Sequence, residues 1–332
     1  MDPVTHITAG ALMGRAIRLR APRADITIFA VICALLPDID NLIGLIGPEL
    51  YLLHHRGITH SLPGIAALSA LMAHLFRRFR REPPDFQPMF LIALAAMAGH
   101  VFLDLITSYG TQLFAPFSGR RFSFDSVFII DPVFTGLLAI LLALSYSRRR
   151  TRFARTGIAL ILIYPMLSLA VREYTRPNAE AALHAQGFSC EKLELVPDAF
   201  APLRWKAIAA CGDSLLFFGA GAGNNSTPVD GIRSFRRADM PMLRIGASRV
   251  SMFRTWEWFA RYPFMETSET GSGGKIVRFG DLQFESTWDF IRKRWNGGVR
   301  PFSLGLTLDG SGAMTGWSYT RPGRETVTMH VR

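Results

Sequence analysis

Between residues 26 and 171 apolar blocks alternate with clusters of arginine, and after Arg176 the pattern changes to short runs broken by Gly, Pro and Asn. The blocks at 26–46, 62–76, 89–107, 132–146 and 156–171 predict five apolar helices, preceded by a shorter amphipathic one over 5–17. Several fall short of the roughly 20 residues that cross a bilayer core, so tilted, re-entrant or stacked helices are expected among them. A buried bundle in a soluble protein also uses apolar runs of such length. Repeated runs separated by arginine clusters fit membrane spans better.

Beyond the last block, "KLELV", "SLLFFGA", "KIVRFGDLQF" and "FSLGLTL" read as strands, whereas residues 249–266 have helical apolar spacing until Pro263 stops it. The fold class expected is a mainly α-helical membrane bundle over residues 1–172, followed by a small β-rich (α+β) domain over 173–332.

Composition adds direction to this pattern. The 332 residues are 49% hydrophobic and carry a net charge of +11. Such a charge is compatible with a nucleic-acid partner, but its placement argues otherwise. Arg15, Arg18, Arg20 and Arg23 lie between the first two segments, "RRFRR" at 77–81 follows the third, and "RRRTRFAR" at 148–155 follows the fifth. By the positive-inside rule these loops are cytoplasmic. The N-terminus, the loops at 47–60 and 109–131, and the C-terminal domain are then extracytoplasmic. The start "MDPVTHITAG" has no basic n-region before an uninterrupted apolar core, so the first helix is expected to be retained. Cys33 reads as a small core residue, while Cys190 and Cys211 can pair in an oxidising compartment. "GAGAGNN" at 219–225 and "GSGGK" at 271–275 lack the full pattern of a nucleotide-binding loop and read as turns.

Ionisable residues inside apolar helices are costly and point to function. His6 lies in the first helix, Asp38 and Asp40 in "LLPDID", and His100 and Asp104 in "AGHVFLDLITSYG". The loop "HHRGITHS" at 54–61 adds His55, Arg56 and His60. The predicted topology brings all of them to the outer side.

His100 and Asp104, four apart, share one helix face and can reach one metal or adjacent metals; a plain helix-face hydrogen bond is the competing reading. For "PDID" the competing reading is that Pro37 breaks the helix and one aspartate caps the next turn. His60 is also a candidate helix-start residue. Together the histidines and carboxylates suit zinc, with manganese the alternative, and they exceed the four ligands of a closed structural site. His6, Asp40, His55, His60, His100 and Asp104 are assigned to the metal, and Asp38 with Arg56 to catalysis. Arg56 offers a fork for phosphate or carboxylate.

The order of His6, "PDID", "HRGITHS" and "GHVFLDLITSYGTQLFAPF" resembles the YdjM-type family of predicted membrane-bound metal-dependent hydrolases over about the first 135 residues. "PLRWKAI", "FARYPF" and "VRFGDLQF" look like the soluble extension that some members carry. The resemblance implies an integral protein of a bacterial-type inner membrane. It extends distantly to zinc-dependent phospholipases C and single-strand-specific zinc nucleases. By that likeness His6 matches an N-terminal ligand, one of Asp38 or Asp40 a carboxylate ligand, His60 an imidazole ligand, and His100 with Asp104 the HxxxD pair whose carboxylate bridges metals. Those enzymes add histidines after this pair, whereas here the next is His184, and Asp125 and Asp131 either substitute or cap turns. A mono- or dinuclear site is therefore expected.

The leading expectation is hydrolysis of a phosphoester or lipid-related substrate by metal-activated water at the outer face, with the bilayer as partner and no nucleic acid. The second is a non-catalytic protein with a structural metal and a partner-binding outer domain, the partner unknown. The third is an ion or proton pathway, which needs polar groups continuing to the inner face. None comparable lies within the spans near Arg20, Arg80 or Arg149.

Overall fold

The computed structural model describes residues 1–17, 23–199, 201–221, 223, 231–270, 273–291, 300–321 and 326–330. They divide into two compact units: Met1–Val171 with Phe200–Pro202, and Arg172–Ala199 with Leu203–Arg332.

The first unit is helical. Helix α1 (Pro3–Ala16) starts on a proline, and the Asp2 carboxylate accepts from the Thr5 N–H at 3.1 Å. Helix α2 (Arg23–Leu35) gives way to a 3₁₀ segment, Leu36–Leu45. Pro37 has no N–H to continue the α-helical ladder, so the apolar block at 26–46 is two elements rather than one straight helix. A short helix α3 (Pro48–His54) and a 3₁₀ turn, Ile58–His60, occupy the stretch expected to be loop. Helix α4 (Leu62–Arg78) is capped by Ser61, whose hydroxyl accepts from Gly64 N at 3.1 Å. Helix α5 (Phe86–Leu105) follows, then α6 (Pro132–Ser147), where Asp131 accepts from the N–H groups of Val133 and Phe134. Helix α7 (Thr151–Ala185) runs past the expected boundary and contributes residues to both units.

Close approach of α1 to α2 rests on small residues. A Cβ at Gly14 would lie 2.6 Å from Thr27 Cα, and one at Gly10 would lie 2.7 Å from Ala34 Cβ. The four-residue spacing puts both glycines on one face, which lets the backbones meet. One apolar cluster gathers Phe29, Cys33, Ile65, Met89 and Met97; a second gathers Leu12, Leu103, Phe134, Leu138 and Ile161.

Asp25–Leu45, Phe86–Leu105 and Thr151–Ala185 are long and apolar enough to cross a membrane, and Pro48–His60 with Leu62–Arg78 pass together as a pair bent by 62°. Pro132–Ser147 is apolar but shorter.

Among the described residues the second unit is built on one nine-stranded sheet: β1 (Lys192–Pro197), β2 (Arg204–Cys211), β3 (Ser214–Gly221), β4 (Arg233–Arg237), β5 (Pro263–Glu269), β6 (Lys275–Asp281), β7 (Leu304–Leu308), β8 (Met314–Thr320) and β9 (Thr326–His330). Every strand pairs antiparallel with its sequence neighbour, in registers such as Leu195 opposite Ala207 and Val277 opposite Leu306. Side-chain alternation gives the sheet two apolar faces. On one, Leu195, Trp205, Ala207, Leu216 and Phe218 pack with Ala179, Ala182 and Leu183 of α7. On the other lie Val196, Ile208, Leu215, Phe217, Phe235 and Phe264.

Helices α8 (Met240–Ala247) and α9 (Ser251–Phe259) join β4 to β5. The helix expected over 249–262 is thus shorter, and Pro263 opens a strand, a position where its missing N–H is tolerated. Trp205 and Trp256 are buried, and Trp258 is exposed. Trp295 lies outside the described residues, as does part of each glycine-rich stretch, 219–225 and 271–275.

Cys190 and Cys211 form a disulfide across a separation of 21 residues. Replacing both with serine is expected to destabilise the second unit by about 3 kcal/mol, the scale set by closing a loop of this length. All six tryptophans fall between residues 205 and 317, so tryptophan fluorescence during thermal unfolding reports this unit. An unchanged midpoint would show that the crosslink is dispensable.

Candidate metal centre

Two carboxylates and two imidazoles from three separate segments converge inside the helical unit. Asp38 comes from the 3₁₀ segment after α2, His60 from the turn before α4, and His100 with Asp104 from one face of α5. The Nε2 atoms of His60 and His100 are 3.0 Å apart. Asp104 Oδ2 lies 3.2 Å from the first and 3.4 Å from the second. Asp38 Oδ1 lies 3.6 Å and 3.7 Å from them.

The far side of each ring decides what these atoms are. His100 Nδ1 donates to the Ala34 carbonyl at 2.6 Å, near the end of α2. His60 Nδ1 faces Asp40 Oδ2 at 3.1 Å and the Thr59 hydroxyl at 3.0 Å, and the hydroxyl itself donates to Asp40. Both rings therefore carry their proton on Nδ1, the arrangement in which the other nitrogen is a lone-pair acceptor. Four acceptors then point at one another with no donor among them. Asp104 Oδ2 is buried and has no hydrogen-bond partner among the described residues.

Such a set can hold a cation at its centre. The spacing fits one. Ligands about 2.0–2.1 Å from a tetrahedral zinc lie roughly 3.3 Å from one another, against the 3.0–3.7 Å found here. The side chains of His60, His100 and Asp104 are 0–1% exposed and that of Asp38 is 24% exposed, so Asp38 marks the open side.

Around this core the other predicted residues take distinct places. Arg56, buried and at φ +59°, forms an ion pair from Nη2 to Asp104 Oδ1 at 2.8 Å, donates from Nη1 to Thr107 Oγ1 at 3.0 Å, and lies over the Tyr109 ring. It clamps one oxygen of Asp104 and leaves the other to the cluster. The Met1 nitrogen is bonded to the same Oδ1. His6 stacks on His100 with ring centroids 3.8 Å apart, and its Nε2 is 3.5 Å from Asp104 Oδ1. Neither His6 nitrogen has a hydrogen-bond partner among the described residues.

His55 sits apart from the four converging atoms. Its Nδ1 donates to Asp40 Oδ1 at 2.8 Å, and its ring stacks on Tyr51. Asp38, Asp40 and His55 form a second, overlapping group whose ligand-type atoms lie within 4.8 Å of one another. Asp131 is occupied as the cap of α6 and accepts the Tyr164 hydroxyl at 2.9 Å, so of the two expectations for it the structure shows a cap. His74 and His184 are exposed and outside the cluster.

Sequence reading missed Thr59, Thr107, Tyr109 and the Ala34 carbonyl. Thr59 and Thr107 stand within the quoted motifs, one and three residues from a predicted site residue, and that proximity was the available signal.

The sequence model of the YdjM inner membrane protein family matches residues 1–178. The chain is 30% identical over 193 residues to the uncharacterized protein YfhP of Bacillus subtilis (strain 168), an alignment covering 55% of this chain and 58% of that protein. No solved structure matches the chain.

Proposed function

The chain belongs to the YdjM inner membrane protein family, and from that premise we infer that it is a membrane-embedded metal-dependent hydrolase acting on a phosphoester. The observation that carries the inference is the convergence of His60, His100 and Asp104 acceptors on one point, with Asp38 at the open edge. The two imidazole and carboxylate donors suit zinc first and manganese second. A bound divalent cation supplies Lewis-acid polarisation of the scissile group and a water of lowered pKa.

The chain's own residues supply the rest. His60, His100 and Asp104 form the buried trio that holds the cation. Asp38, more exposed and 0.2 Å or more farther out than any other pair, is the group placed to take a proton from water. Arg56 holds Asp104 in place, and its Nε–H, without a hydrogen-bond partner among the described residues, is a donor for negative charge developing on the substrate.

A lipid-borne phosphoester is the favoured substrate. The exposed residues next to the site in sequence include Ile39, Leu42, Ile58 and Leu62, each at least half exposed. Leu62 N donates to Leu113 O, which brings exposed Phe114 to the same rim. An apolar rim in a membrane protein suits acyl chains better than a soluble ester. Arginines at 77–81 and 148–155, together with the Cys190–Cys211 disulfide, support an outward C-terminal unit.

One feature favours a second reading. Four protein ligands close a structural site, whereas a catalytic site keeps one position open. Asp38→Asn separates the two. For a hydrolase it retains bound metal and loses turnover of a short-chain phospholipid by about 10²-fold or more. For a structural site it loses metal as readily as a His60 variant does. Wild-type protein that holds metal but cleaves neither phospholipid nor a chromogenic phosphodiester would sink the hydrolase reading.

A further inference from the structure

We propose that Asp40 is a positioning residue that holds His60 in the tautomer offering Nε2 to the metal cluster. This rests on the metal-centre reading and assigns Asp40 a place outside the ligand set.

The two aspartates of "PDID" do opposite things because of the segment that carries them. In a 3₁₀ helix each residue turns by about 120°, so side chains two apart diverge rather than share a target. Asp38 faces the Nε2 atoms of His60 and His100. Asp40 faces the loop that delivers His60.

Both Asp40 oxygens are already engaged by donors. Oδ1 accepts from His55 Nδ1 at 2.8 Å. Oδ2 accepts from the Arg56 backbone N–H at 2.9 Å and from the Thr59 hydroxyl at 2.9 Å, and lies 3.1 Å from His60 Nδ1, which the same hydroxyl meets at 3.0 Å. An ionised carboxylate has about four lone-pair sites, so this set leaves it close to saturated. Asp104 Oδ2, in contrast, is buried with no partner among the described residues, as a ligand atom waiting for a cation would be.

The geometry is that of a carboxylate behind a ligating histidine, where the hydrogen bond on one ring nitrogen fixes the tautomer and aims the other. Asp40 is 5% exposed, and its bonds to Arg56 N and Thr59 pin the backbone on both sides of Gly57 and Ile58. Orientation of His60 and shape of the loop are thus set by one side chain. The rival assignment uses Asp40 as a ligand to a second cation shared with Asp38 and His55, which would require breaking the His55–Asp40 bond.

The test is Co²⁺ titration of the detergent-purified full chain, read by its visible absorption, with ¹⁵N-histidine NMR of the metal-free protein. Asp40→Asn is expected to weaken Co²⁺ binding by about 10–100-fold while leaving stoichiometry and band positions as in wild type. The control His100→Gln, which removes a ligand, shifts the bands. In metal-free wild type the His60 signal shows a proton on Nδ1, and in Asp40→Ala it shows loss of that preference. Thr59→Val removes only the hydroxyl between Asp40 and His60, gives a smaller weakening in the same direction, and carries the test if the Asp40 variants do not fold.

Three outcomes overturn the proposal: Asp40→Asn shifting the bands as His100→Gln does, Asp40→Asn lowering the stoichiometry from two Co²⁺ to one, or unchanged affinity and tautomer in folded Asp40 variants. Wild type that binds no Co²⁺, yet loses the His60 tautomer preference in Asp40→Ala, would overturn the metal-centre reading and uphold the role of Asp40.

Discussion

Asp104→Ala is expected to reduce bound metal from about one equivalent to background and to destabilise the helical unit by about 3–5 kcal/mol. Two losses coincide at this residue. Oδ2 leaves the point where His60 and His100 converge, and Oδ1 leaves Arg56. Arg56 is 4% exposed, so its charge stays buried without its carboxylate partner. Elemental analysis of the purified variant reads the first loss and helical circular dichroism on heating reads the second. Asp104→Asn keeps the volume and separates charge from packing. A folded Asp104→Ala protein with wild-type metal content and an unchanged midpoint would remove this residue from both roles.

Gly64→Val is expected to be nearly as damaging, although Gly64 touches no site residue's charge. A Cβ at Gly64 would lie 1.8 Å from the Ile58 carbonyl oxygen, which no rotamer change can relieve because that atom is backbone. The Ile58–His60 turn must move away from the first turn of α4, and His60 moves with it. The cost is about 3 kcal/mol for such overpacking, accompanied by metal affinity lowered by about 10-fold or more as His60 leaves its position. A Gly64→Val protein of wild-type stability and metal affinity would show that the turn is free to shift without consequence.

Much of the candidate cluster was legible because it breaks the pattern around it. His100 and Asp104 stand inside an apolar helix, and their spacing alone put them on one face. "HHRGITHS" was conspicuous for the same reason. The division of labour between Asp38 and Asp40 was not legible: side chains two apart diverge in a 3₁₀ helix and in an α-helix alike, and which of the two meets the histidine Nε2 atoms depends on distant segments. The grip of Arg56 on Asp104 was also hidden. It joins residues 48 apart in sequence, and a motif read locally gives no sign of which distant carboxylate an arginine will meet. In the second unit, apolar alternation marked strands such as β1, β3 and β6, but α8 went unseen because "MPMLRIGA" is short and carries a proline in its first turn.

The sheet of the second unit has a consequence for how the chain becomes structured. Because, among the described residues, each strand pairs with the one before and the one after it, most pairings are hairpins closed by short connections, and two span longer excursions, β4 to β5 through α8 and α9 and β6 to β7 between Asp281 and Leu304. Sheets whose contacts are local form quickly, because little loop-closure entropy precedes each gain. A chain delivered gradually from its N-terminal side can therefore zip this sheet one hairpin at a time, with β1 on β2 providing the first template and no strand held in reserve for a distant partner.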